Sequence, residues 1–164
     1  MNGIVSSNAV GMALMQSGLS PFTLDVDTFQ IVWEGENYVV HTDRLPLVFV
    51  EKRVPLDLFE YKHENWIVSF AMDRVNMLRT PLAVFRGDVF DTVTFRVCLS
   101  PSCEEELHGE LVKGLEEINR GIEQFGQACD VAVREDAESE LQGLTESLSD
   151  PGPDNPWTRG KMRS

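Results

Sequence analysis

Residues 93–125 read VTFRVCLSPSCEEELHGELVKGLEEINRGIEQF, and the period of the apolar residues changes once along them. Up to Leu99 the period is two: Val93, Phe95, Val97 and Leu99 alternate with Thr94, Arg96 and Cys98. That predicts a half-buried strand with one apolar and one mixed face. Beyond Ser102 the period is that of a helix, with Leu107, Leu111, Val112, Leu115, Ile118, Ile122 and Phe125 on one stripe. Ser102 and Glu105 have the spacing of a capping box, and Glu104, Glu105 and Glu106 stand in the first turn, beside the positive end of the helix dipole. Gly109, Gly114 and Gly121 interrupt this helix. Either they admit a close neighbour, or packing outweighs their poor propensity. A one-faced strand leading into an amphipathic helix predicts a sheet packed against helices.

Working outward, residues 82–86 form a second strand, joined to 93–99 through a turn that starts at Gly87 and Asp88. Before it, Trp66, Ile67, Phe70, Ala71, Val75 and Leu78 predict an amphipathic helix over 63–78, which Pro81 ends. Three strands precede that helix, at 29–33, 38–42 and 47–54. The first two are linked as a hairpin through Glu34, Gly35, Glu36 and Asn37, and Pro46 and Pro55 stand at the ends of the third. Short strands with tight links read as an antiparallel meander. A first helix is predicted over 7–17 from Val10, Ala13 and Leu14, with Ser7 as its N-cap, Gly18 as its stop and Gly11 weakening it. The predicted class is α+β, in the order helix, three strands, helix, two strands, helix.

The 164 residues suit one domain, assigned to 1–129, followed by a tail over 130–164 that is acidic, then proline-rich and mostly disordered by composition. Within the tail, Leu141, Leu144 and Leu148 allow one or two helical turns at most, and Pro151, Pro153 and Pro156 forbid a regular element. Against 27 Asp and Glu stand 14 Lys and Arg, a net charge of -13. That argues against nucleic acid and against anionic membrane surfaces, and leaves a basic protein partner or plain solubility open. The first residues lack the basic region of a secretory signal, and no apolar run reaches the roughly 18 residues of a membrane helix. A soluble, cytoplasmic protein is expected.

Few residues suggest chemistry. His41, His63 and His108 fall on separate predicted elements without ligand spacing, and no metal or cofactor site is expected. Cys98, Cys103 and Cys129 form no C-x-x-C pair; Cys103, at a predicted helix N-terminus, has the most reactive setting. The glutamates of 104–106 are explained by helix capping, and the spread glycines of 109–121 make no phosphate loop. No enzyme is expected. Trp66 and Phe70, one helical turn apart, fit either a core or a partner surface, where aromatic residues are over-represented. Trp157, alone among prolines and charges, is a docking anchor or an unconstrained residue.

Three stretches carry a family likeness: TFQIVWEGENYVVH over 28–41, FAMDRVNMLRTPLAVF over 70–85, and the strand 93–99 with the helix over 102–125. Together they resemble the YbjN-like family, described as sensory-transduction regulators, and the type III secretion chaperone-like fold it shares. The resemblance spans roughly residues 8–128. It implies an α/β sandwich with a curved antiparallel sheet, commonly dimeric, without a catalytic site and binding protein clients on apolar patches. The extra acidic and proline-rich tail departs from that pattern. The expected function is a non-enzymatic, chaperone-like or regulatory module that binds a protein partner or client, acting as a homodimer. Its candidate contact residues are Leu47, Phe49, Trp66, Phe70, Met77 and Trp157. The alternative is a small ligand-binding domain or enzyme with a pocket between sheet and helices.

Overall fold

Six strands assemble into a single antiparallel sheet, and alternate residues of the five longer ones are buried on its core face. The computed structural model describes residues 6–59, 65–78, 80–87 and 91–149. In chain order the elements are α1 (Ser7–Gln16), β1 (Phe22–Asp25), β2 (Thr28–Trp33), β3 (Glu36–Arg44), β4 (Leu47–Pro55), a short 3-10 turn (Leu56–Leu58), α2 (Asn65–Asn76), β5 (Leu82–Arg86), β6 (Thr92–Leu99) and α3 (Glu104–Ser149). The strand order is β1-β2-β3-β4-β6-β5. The class is α+β, and it carries one strand more than the sequence predicts. The additional strand, β1, has only four residues, all exposed, behind Pro21, so neither length nor burial marks it.

The chain divides into two compact units, Met1–Cys129 and Asp130–Ser164. In the first, Phe29, Val40, Val50, Val97 and Leu82 lie in register across five strands and form one row of the core face. Leu107, Leu111, Leu115, Ile118 and Phe125 of α3 are buried, as the stripe predicts. Tyr38, fully buried, donates its hydroxyl to Asn119 Oδ1 at 2.7 Å and so ties β3 to α3. Burial raises the Tyr38 pKa, so the phenol stays a donor. The glycines of α3 differ in role. A Cβ at Gly121 would overlap the Leu82 side chain, and one at Gly114 would lie 3.1 Å from Leu99, whereas Gly109 faces open space. Close approach to the sheet therefore explains Gly114 and Gly121 but not Gly109. At the β2–β3 hairpin, Glu34 and Gly35 both have positive φ, the conformation that matches the twist of a two-residue link.

Local details shift by one residue from expectation. Ser6, not Ser7, caps α1, accepting from the Ala9 N–H at 3.1 Å. Ser7 Oγ instead donates to Asp27 at 3.1 Å and lies 2.6 Å from the Thr42 hydroxyl, fastening α1 to the sheet. At the start of α3 it is Glu106, not Glu105, that takes the Ser102 N–H, at 2.9 Å. In the second unit, residues 130–149 continue α3 as helix rather than as a disordered tail. The glutamates, alanines and leucines there are sound helix formers, and no proline interrupts them before Pro151. Residues 150–164, including Trp157, lie outside the described residues.

Candidate functional site

α1 and α3 approach one face of the sheet, through Phe29 for α1 and through Val97, Leu99, Leu82 and Phe95 for α3. The other face holds the alternate residues: Val39 of β3, Phe49, Glu51 and Arg53 of β4, Arg96 and Cys98 of β6, and Ala83 and Phe85 of β5. At its centre is Glu51, with 2% of its side chain exposed. Register supplies its partners. Arg96 stands directly opposite on β6, His41 diagonally on β3, and Arg53 two residues along the same strand.

Arg96 donates both Nε and Nη2 to Glu51 Oε1, at 3.0 and 2.7 Å. Oε2 lies 3.3 Å from His41 Nε2 and 3.6 Å from Arg53 Nη2. The His41 nitrogen is itself sealed from water and lacks hydrogen-bond alignment, so its contact is one of charge when the ring is protonated. Burial by itself raises the Glu51 pKa. The contact with His41, the paired donors of Arg96 and their charge outweigh that and bring it from 4.5 down to about 2. Arg96 is held a second way, its guanidinium 5.6 Å from the Phe49 ring and 4.9 Å from the Phe85 ring. Beside this cluster, His41, Asp43, Arg44, Phe49 and Arg96 line a cavity of about 190 Å³.

The two sheet edges are unlike. On β5, the Asn76 side-chain amide donates to the Val84 carbonyl and accepts from the Val84 N–H, both at 2.9 Å, occupying the groups that an added strand would use. The β1 edge carries no such cover among the described residues, and Phe22 and Leu24 on it are 65% and 47% exposed. Its register with β2 is interrupted between Thr23 and Asp25.

The residues singled out from the sequence fall in two places. Leu47 and Phe49 lie on β4, on the face away from α1 and α3, Leu47 exposed and Phe49 half-buried. Trp66 and Phe70 lie on α2 and Met77 just past it. Trp66 is 46% exposed and Met77 74%, while Phe70 is half-buried under Arg74 at 5.3 Å. β6 and β5 intervene between β4 and α2, so these residues do not share one contiguous set of contacts. Trp157 and His63 lie outside the described residues.

The candidates for chemistry also disperse. Cys98 and His41 flank Phe49 from the two neighbouring strands, roughly 10 Å apart at two strand spacings, too far for proton transfer. Partial burial raises the Cys98 thiol pKa, which suppresses its nucleophilicity. Cys103 is half-buried just before α3 and Cys129 is buried within it. His108 lines a cavity of about 340 Å³ with Glu104 and Glu105, at the junction of α1 and α3. Among the described residues no group of three His, Cys, Asp or Glu is placed to hold a metal ion, and no helix is long and apolar enough to cross a membrane.

The cluster around Glu51 is absent from the sequence reading. Its only trace there is the run of Glu51, Lys52 and Arg53 in a strand whose other positions are apolar. Comparison with protein-family models, with curated proteins and with solved structures finds no match.

Proposed function

We propose that the chain is a non-enzymatic protein-binding module, chaperone-like or regulatory, that works as a homodimer in the cytoplasm. The observation that carries this reading is the uncovered β1 edge, an exposed strand with apolar side chains in a sheet whose opposite edge is occupied by Asn76. An open edge offers a row of backbone donors and acceptors to a second strand, and alternate side chains set the register. Antiparallel pairing of β1 with its own copy satisfies both strands through one two-fold contact. The face bearing Leu47 and Phe49 and the α2 surface at Trp66 and Met77 then remain for a protein partner or client. The order of a first helix, a meander of strands and a long last helix supports the likeness to the YbjN-like and secretion-chaperone folds.

Light scattering on the full chain tests this. A dimer is expected, reverting to a monomer when Phe22→Lys and Leu24→Lys place charge on the edge; circular dichroism confirms that the variant stays folded. The same dimer is expected when the chain is cut after Cys129. A wild-type monomer throughout the concentration range overturns the dimer, and a dimer unaffected by the two lysines moves the interface away from β1.

A further inference from the structure

We propose that the cavity lined by His41, Asp43, Arg44, Phe49 and Arg96 binds a small monocarboxylate. This goes beyond the edge-pairing reading and does not depend on it. Four observations carry it.

The first is a preorganised cation. Glu51 holds the Nε and Nη2 side of Arg96, and the rings of Phe49 and Phe85 hold its plane. The side chain is therefore ordered before any ligand arrives, which removes much of the usual cost of immobilising an arginine. Among the described residues Nη1 makes no hydrogen bond, so donors remain for an incoming oxygen. The second is Arg44, at the end of β3, which among the described residues pairs with no carboxylate although it lines the same cavity. The third is the local charge. In a chain of net charge -13, two arginines here face one aspartate, and Arg53 offsets Glu51 behind them. One positive charge in excess matches a monoanion, while the surrounding negative charge disfavours a polyanion such as a nucleotide. The fourth is shape. A volume of about 190 Å³, lined mostly by polar side chains, takes a ligand smaller than the ~300 Å³ lower end of drug-sized pockets. The Nη1 edge of the Arg96 guanidinium, together with Arg44, then meets the carboxylate oxygens.

The test is a ¹H–¹⁵N NMR titration of the full chain with sodium benzoate, beside sodium chloride at matched ionic strength and sodium phosphate. Saturable shifts at His41, Arg44, Phe49 and Arg96 are expected, with a Kd on the order of 1 mM. Arg44→Gln, at an exposed strand end, is expected to weaken benzoate by about tenfold. Lys113→Gln, which removes the same charge from α3, leaves it unchanged. Arg96→Gln is a poorer probe, because it also strands the buried Glu51. Shifts that fail to saturate, or that chloride reproduces, overturn the proposal. So does equal weakening by Arg44→Gln and Lys113→Gln, and phosphate binding more tightly than benzoate overturns the choice of a monocarboxylate.

Discussion

Glu51 is a buried carboxylate kept ionised by neighbours on three strands, and stability accordingly depends on its proton. A group whose folded pKa is depressed contributes stability that is fully present above its unfolded pKa and is lost as pH falls through the folded one. Moving from 4.5 to about 2 ties on the order of 3 kcal/mol to the ionised form. Glu51→Gln is therefore expected to cost about that much at neutral pH. The difference from wild type should shrink from roughly pH 4.5 downward and nearly close at about pH 2. Urea unfolding across that range measures it. A deficit as large in acid as at neutrality would mean that the amide disturbs packing, not charge. None of this is legible from residue spacing: Arg96 is 45 positions from Glu51 in sequence and adjacent to it only through strand pairing.

Among the elements, α3 is the one most fully legible, because its apolar stripe repeats over many turns and its residues are buried, save the half-buried Val112 and Ile122. What its stripe does not reveal is which glycine matters. Gly121→Ala improves helix propensity yet forces a methyl group against Leu82 in the core, and is expected to lower stability by about 1–3 kcal/mol. Gly109→Ala, in open space on the same helix, should raise it by up to about 1 kcal/mol. Thermal unfolding of the two variants should show opposite signs; stabilisation by both would show that Leu82 yields and that close packing is not what keeps Gly121. The caps of α1 and α3 were each legible only to within one residue. Neighbouring Ser and Glu residues compete for the same N–H groups, and tertiary contacts choose between them: Ser7 is drawn to Asp27 and Thr42, leaving the cap to Ser6.

For the whole molecule, the two ends of the sheet differ in what they offer to a second strand. Asn76 satisfies both backbone groups of Val84 on the outer side of β5, so that edge resembles a paired strand. Asn76→Ala leaves both groups without their partner and is expected to cost about 2 kcal/mol. It should also give a second sticky edge, so that assemblies larger than a dimer grow with concentration in light scattering. Lost stability with unchanged mass would show that the bulk of α2, rather than the amide, closes the edge.

Hydrophobic period and turn chemistry, both properties of neighbouring residues, determined the α+β class, the hairpin at Gly35, the stripe of α3 and the one-sided face of β6. Strand order was not among them. Only the tertiary structure placed β4 between β3 and β6, and with that placement brought His41, Glu51 and Arg96 together on the face away from α1 and α3. It also recruited Phe22–Asp25 as an edge strand and set Asn76 against Val84. The physical reason is common to all of these: cross-strand neighbours are chosen by register and topology, which depend on how the whole core packs, and no local period records them.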